Sequence, residues 1–309
     1  MALAGEGVAR PFLKWAGGKS QLLAQLAAHY PPGLAAGEIE RYVEPFLGGG
    51  AVFLEIAQHY PVRSALLSDA NPELVLVYRV VQQDVEGLIE RLERLAHAYL
   101  EAGEPERQAL YYRIRARYNE QRRSVDFSRY SAAWVERAAL MLFLNKTCYN
   151  GLFRVNRQGA FNVPFGRYKQ PTICDATNLR AVARLLQRAK LQVAPYTACE
   201  AEVDDRTFVY FDPPYRPISP TSSFTAYSCD KFDDADQEAL AAFFARLHDR
   251  TGAKLMLSNS DPANVDPDDD FFTRLYSRFH IHRVWANRMI NTQADKRGKI
   301  SELLITNYG

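Results

Sequence analysis

Cysteine is scarce in this chain and never clustered. Cys148, Cys174, Cys199 and Cys229 are far apart and form no Cys-x-x-Cys pair, which argues against a zinc site or a disulfide framework and for reduced thiols. Long apolar runs are missing too: none approaches the ~20 residues that span a bilayer. Residues 1–8, with acidic Glu6, lack the basic-then-apolar layout of a secretory signal. A cytoplasmic protein with no membrane contact is the expectation. Charge of one sign is also in short supply, since the net value is +2 over 309 residues, too little to call for a nucleic-acid partner. Repeats, low-complexity tracts and long linkers are absent. What remains is a globular composition, 47% hydrophobic and 24% charged, long enough for one elaborate domain or two.

Two familiar nucleotide signatures also fail. Residues 11–20, Pro-Phe-Leu-Lys-Trp-Ala-Gly-Gly-Lys-Ser, look like a phosphate loop, but a Walker A motif needs glycine where Leu13 stands. Residues 41–54 read as strand, glycine loop, helix, and a dinucleotide fingerprint would put Gly or Ala where Phe53 stands. An ATPase and an NAD enzyme are therefore disfavoured. The loop itself keeps its meaning: Gly48, Gly49 and Gly50 let backbone approach a ligand closely, and the helix that follows favours negative charge at its start. A second strand over 62–67 runs into Asp69, where nucleotide-binding α/β folds hold ribose hydroxyls; capping the helix opened by Asn71-Pro72 is a second role for this acid, compatible with the first.

The stretch 207–215, Thr-Phe-Val-Tyr-Phe-Asp-Pro-Pro-Tyr, carries the most chemistry. Its apolar, β-branched and aromatic run is strand-like and stops at Asp212, because two prolines cannot continue a ladder. A carboxylate thus stands at a strand's carboxyl end, the edge at which open α/β sheets bind ligands. Pro213 and Pro214 fix φ and leave carbonyls to accept hydrogen bonds, and Tyr215 offers a stacking face. The set suits a flat, NH2-bearing substrate, although Asp-Pro is also a common turn opener.

Between these strands the pattern changes. From about 74 to 149 apolar residues recur at three and four spacing, the mark of helices, and then Arg157-Gln158-Gly159 predicts a hairpin turn inside 153–165. Strand–helix alternation resumes afterwards, with strands expected at 191–194, 208–211, 254–257, 280–285 and 302–306 and helices at 20–29, 175–188 and 234–248. Six arginines against one glutamate over 107–123, and a second basic stretch over 283–299, fit either a polyanion-binding face or ordinary solvated helix surface. His280 and His282 alternate on one strand and read as structural.

Taken in order, Lys14-Trp15-Ala16-Gly17-Gly18-Lys19, Glu44-Pro45-Phe46-Leu47-Gly48-Gly49-Gly50, Asp69-Ala70-Asn71, Asn145 to Leu152, Phe161 to Tyr168, Asp212-Pro213-Pro214-Tyr215, Phe224-Thr225-Ala226-Tyr227 and Glu302 to Tyr308 resemble the Dam-type, D12 class adenine-N6 DNA methyltransferases. The likeness runs from about 12 to 308. It implies a Rossmann-like S-adenosylmethionine-dependent methyltransferase fold, with a catalytic α/β domain over 1–75 and 172–309. A mostly helical target-recognition insertion containing a β-hairpin would occupy 76–171.

The resemblance also implies roles. Trp15 would stack on the cofactor's adenine, the Gly48–Gly49–Gly50 loop would lie along its methionine part and Asp69 would bind its ribose hydroxyls, with Lys19, Glu44, Pro45, Phe46 and Asp212 also among the cofactor-binding residues. Asp212 and the Pro213 carbonyl would accept the two N–H bonds of a target adenine, and Tyr215 would stack on it after extrusion from the duplex. Tyr149 and Asn150 would fill the gap; Arg154 and Lys14 would read guanines, Leu152 and Pro164 thymine methyls, and Arg167 a phosphate, with Tyr168 closing the block. For Leu152 and Pro164 hairpin core is the alternative. Duplex GATC is the implied target, S-adenosylhomocysteine the product, and no metal is required. A monomer is expected, and a cognate restriction endonuclease is one candidate partner. Two other readings remain open: a catalytically silent DNA-binding protein, and an amino-methyltransferase acting on RNA or a protein amide.

Overall fold

The computed structural model describes residues 7–217, 232–287 and 299–309. The motif at 224–227, Cys229, and Arg288, Lys296 and Arg297 of the second basic stretch lie outside the described residues.

Seven strands form one sheet: β1 (Arg41–Glu44), β2 (Ser64–Asp69), β3 (Ala189–Val193), β4 (Thr207–Phe211), β5 (Lys254–Ser260), β6 (His280–Asn287) and β7 (Lys299–Thr306). Their order is β3-β2-β1-β4-β5-β7-β6. The first five are mutually parallel, and β7 enters antiparallel between β5 and β6. Each strand expected from the sequence is present within a few residues. β4 is buried at every position, as a central parallel strand covered on both faces must be. The direction of winding reverses between β1 and β4, so their carboxyl ends border the crevice in which such sheets take ligands.

The helices are α1 (Leu23–Ala27), α2 (Pro32–Ala36), α3 (Ala51–His59), α4 (Pro72–Gln83), α5 (Val85–Leu100), α6 (Glu104–Gln121), α7 (Ala132–Thr147), α8 (Ala176–Leu186), α9 (Asp234–Thr251) and α10 (Phe271–Leu275). α9 and α10 cover one face of the sheet around Phe211, Phe244 and Leu257. On the other face a single apolar cluster runs from Tyr42 and Phe208 through Val77 and Val81 of α4 to Tyr111, Phe143 and Phe165. The helical stretch is therefore packed continuously onto the sheet. An ion pair fastens it: Arg137 of α7, 1% exposed, grips both oxygens of Glu73 in α4 and donates to the Tyr118 carbonyl.

Two elements depart from expectation. The helix expected over 20–29 is regular only at α1, because several flanking amides bond three residues back, as Leu22 does to Lys19 and His29 to Leu26. The hairpin of 153–165 is reduced to single antiparallel bridges, Val155 to Phe161 and Cys148 to Phe165. Helix side chains take the backbone groups a ladder would have used. Asn119 bonds both the amide and carbonyl of Phe161, and Tyr111 and Arg115 donate to the Val163 carbonyl. The turn itself is where the sequence puts it, with Gly159 at φ +75° and Asn156 accepting from the Gln158 and Ala160 amides.

Candidate active site

The glycine loop leaves β1 with backbone that side chains resist. Gly48 and Gly50 sit at φ +47° and +66°, in the region glycine enters without strain. Space is equally restrictive: a Cβ on Gly48 would lie 3.1 Å from Trp15 Cδ1, and one on Gly50 2.6 Å from the Tyr78 hydroxyl. Trp15 thus lies along the loop, and it also stacks on the Phe153 ring at 5.5 Å. Asp69 braces the loop by accepting from the Gly48 amide at 3.1 Å and the Asn71 amide at 2.9 Å. Helix capping falls to Asn71, which accepts from Glu73 and Leu74, rather than to Asp69. Burial raises the Asp69 carboxyl above its ordinary value against both amide bonds.

Glu44 stands beneath this loop, buried, accepting from the Tyr42 hydroxyl at 2.8 Å. Burial pushes its carboxyl well above the usual range, and Asp212 nearby adds to the rise. Pro45 is buried, and Phe46 stacks on Tyr196 at 5.4 Å.

At the end of β4, the Asp212 carboxylate receives the Lys19 ammonium at 2.8 Å. Lys19 is almost fully buried and also donates to the Gly17 carbonyl at 2.7 Å. The same ammonium sits over the Tyr215 ring, 4.6 Å from its centre. Lys19, expected among cofactor residues, is therefore on the tetrapeptide. Burial drives the Asp212 carboxyl up to about 6, against the pull of Lys19 and with a push from Glu302. The Tyr215 hydroxyl donates to Glu302 Oε2 at 2.5 Å. Behind the prolines, Gln237 donates to the Pro214 carbonyl at 3.0 Å and accepts from Asn259 at 2.9 Å.

The recognition block meets this crevice through Asn145. Its side chain accepts from the Lys14 amide at 2.7 Å and donates to the carbonyls of Lys14 and Gly151 at 2.8 and 3.0 Å. Lys14 Nζ lies 5.0 Å from the centre of the Tyr168 ring. Tyr149 is 55% exposed, and Asn150 and Arg167 both hold φ +56°, which non-glycine residues adopt only when the surroundings insist. Arg154 is exposed and rests on Asn162 at 2.9 Å. Leu152 packs partly on the core, while Pro164 is exposed and its carbonyl accepts from Tyr149.

Residues to which sequence reasoning gave no site role do much of the holding: Gln237, Asn259 and Tyr78, and Glu302, which entered only as part of a motif. One signal was available. Ser258-Asn259-Ser260 is a buried polar run at the end of an apolar strand, and buried polar groups usually serve a partner. The first basic stretch splits in a way composition could not show. Arg107 caps the carbonyls of Tyr99 and Leu100, Arg115 and Arg122 hold the 153–165 segment, and Arg117 pairs with Glu136. Arg113 and Arg123 are exposed. In the second stretch, Arg283 pairs with buried Asp261 at 2.7 Å. Cys148 and Cys199 are buried and Cys174 half-buried, each without a disulfide partner; burial pushes the three thiols up to about 12, 12 and 11. Among the described residues no group of three His, Cys, Asp or Glu is placed to hold a metal, and no helix is long and apolar enough to cross a membrane.

Comparison with known proteins bears on this geometry directly. The chain is 48% identical over 300 residues to the Type II methyltransferase M.MjaIII of Methanocaldococcus jannaschii, covering 97% of this chain and 99% of that protein. It is 36% identical over 302 residues to the Type II methyltransferase M1.LlaDCHI of Lactococcus lactis subsp. cremoris, covering 97% and 96%. To the DNA adenine methylase of Escherichia coli (strain K12) it is 35% identical over 296 residues, covering 96% and 94%. A family model matches residues 15–290, from the tryptophan over the glycine loop to beyond the Asp212 tetrapeptide, and by that match the chain belongs to the D12 class of N6 adenine-specific DNA methyltransferases.

Proposed function

We propose that this enzyme transfers a methyl group from S-adenosylmethionine to N6 of one adenine, extruded from duplex DNA, in the sequence GATC. The observation that carries the reading is the meeting at one crevice of the Trp15-covered glycine loop, the Asp69 brace and the Asp212 tetrapeptide, with the Lys14–Tyr149 block tied to it by Asn145. The residues fit the cofactor. Gly48 and Gly49 keep part of the loop backbone accessible, and each Asp69 oxygen, having accepted one amide, keeps a lone pair for a ribose hydroxyl. Trp15 supplies the flat face for adenine. When bound, the cofactor supplies an electrophilic methyl on sulfur.

The chain's own work is to make a poor nucleophile attack. The exocyclic nitrogen of adenine shares its lone pair with the ring. An ionised Asp212 and the Pro213 carbonyl accept its two N–H bonds and localise that pair, while Tyr215 fixes the plane of the base. Gln237 already occupies the Pro214 carbonyl, which leaves the preceding one for the substrate. The methyl carbon would pass from the cofactor's sulfur to N6, and the one proton that N6 then sheds would go to Asp212 or solvent. Positioning and preorganised acceptors account for the acceleration. Segment 76–171, joined by Lys14 from the N-terminal segment, supplies the DNA contacts: Tyr149 and Asn150 fill the vacated stack, Arg154 and Lys14 contact guanines, Leu152 and Pro164 contact thymine methyls, and Arg167 with Tyr168 flanks the backbone.

Methyl incorporation from labelled S-adenosylmethionine into duplexes carrying GATC or GTTC, and into RNA, tests the proposal. Selective labelling of GATC is expected. Equal labelling of GTTC refutes the specificity. Asp212→Ala is expected to abolish turnover and leave duplex binding intact; a variant that retains turnover refutes the role of Asp212.

A further inference from the structure

We propose that Glu302 is a positioning residue of the methyl transfer, acting on the substrate base through Tyr215, whose phenol it holds. The inference rests on the reading of Asp212-Pro213-Pro214-Tyr215 as the catalytic tetrapeptide and adds to it a residue from a distant strand.

A stacking ring is useful only if its plane is set before the base arrives. Three contacts set this one. Pro214 fixes the preceding backbone and is itself held by Gln237; the Lys19 ammonium lies on the ring face; and the hydroxyl donates to Glu302 Oε2 at 2.5 Å. Of the three, only the last fixes the far end of the ring. Glu302 can serve as an anchor because β7 is clamped on both sides, Glu302 standing opposite Ser260 of β5 and Val284 of β6. Strand alternation puts it on the sheet face of buried Leu304. A half-buried acid at that position is costly unless it serves a partner, and among the described residues its hydrogen bond is to Tyr215. Burial, then the charges of Asp212 and Glu302, keep the Tyr215 phenol well above its ordinary value, so it remains a donor at every working pH.

Glu302 also reaches Asp212 by its charge. Among the described residues the groups facing that carboxylate are Lys19 from the N-terminal turn, Glu44 from β1, Tyr210 from β4, Tyr215, and Glu302 from β7. Lys19 favours the ionised form, while Glu302 opposes it. Replacing Glu302 by glutamine keeps an acceptor for the phenol and removes the charge, which separates the two effects.

The experiment measures kcat and cofactor KM from pH 5 to 9 on a GATC duplex, for the wild type, E302Q, E302A, Y215F, the double variant Y215F/E302A and D212A. For E302Q, near wild-type kcat above pH 8 and an acid limb moved to lower pH are expected. For E302A, kcat is expected to fall ~10-fold or more with cofactor KM unchanged, as for loss of a bond to a charged acceptor. In the Y215F background the alanine substitution is expected to add nothing to the kcat loss above pH 8, where Asp212 is ionised with or without the Glu302 charge, since both changes remove the same contact. An E302A loss above pH 8 that multiplies with that of Y215F, or an E302Q acid limb at the wild-type position, overturns the inference. If E302A does not fold, E302Q decides by its pH limb. Activity retained by D212A removes the catalytic reading and this inference with it; inactive D212A with wild-type behaviour of both Glu302 variants overturns the inference alone.

Discussion

Replacing Lys19 by methionine removes the one cation in contact with Asp212 among the described residues, and its effect can be worked through. The ammonium lies 2.8 Å from Asp212 Oδ1, where a gross attraction of ~6 kcal/mol follows from an effective dielectric of ~20. Much of that offsets the burial of both charges, and a neighbouring opposite charge typically displaces a carboxyl titration by ~1–3 pH units. The wild-type carboxyl titrates at about 6, so ~0.9 of it is ionised at pH 7. Removing Lys19 raises the affinity for the proton, and a displacement of ~2 pH units leaves ~0.1 ionised at pH 7. If the ionised carboxylate accepts the substrate N–H, the methylation rate at pH 7 falls ~10-fold and recovers by pH 9 or 10. The assay is initial-rate methyl incorporation at saturating cofactor across pH 6–10, with cofactor KM measured at each pH. A loss that stays constant across the range refutes the electrostatic role. A loss confined to cofactor KM shows instead that Lys19 serves the cofactor, as the family resemblance implies.

Gly48→Ala places a side chain at φ +47° and 3.1 Å from Trp15; a left-handed alanine costs ~1–2 kcal/mol, and cofactor KM is expected to rise several-fold with little change in duplex affinity, measured by steady-state kinetics and gel shift. Arg154→Ala is expected to remove ~1–3 kcal/mol of base discrimination, read as the ratio of GATC to single-mismatch rates; an unchanged ratio rules out Arg154 as the reader. Arg137→Ala leaves Glu73 without its buried partner and is expected to destabilise the fold by ~3–5 kcal/mol, seen in denaturant melts. A melt within ~1 kcal/mol of wild type would show that the α4–α7 pair contributes little.

The local pattern was legible in the sequence wherever one short segment carries its own physics. Two prolines end β4 at Asp212 whatever surrounds them, three glycines make an open turn, and period-two and period-three-to-four runs mark the strands and the helical stretch. The ordered motifs carried the family. The hairpin turns where the sequence puts it, but how short its ladder is could not be read locally, because the groups that bind its backbone, Asn119, Tyr111 and Arg115, come from a helix some forty to fifty residues earlier. The arginine stretch was ambiguous for the same reason: whether a guanidinium faces solvent or caps a carbonyl depends on what folds against it. Charge balance at the site was likewise beyond local reading. Lys19, Asp212, Tyr215 and Glu302 come from a turn, a strand end and a strand nearly three hundred residues apart in the chain, and the titration of the carboxylate depends on their distances and burial. A sequence states which groups are available at each position, because geometry over a few residues follows from local sterics. Which groups share one crevice follows from the order of strands in the sheet, and here that order put the acid of β7 behind the tyrosine that follows β4.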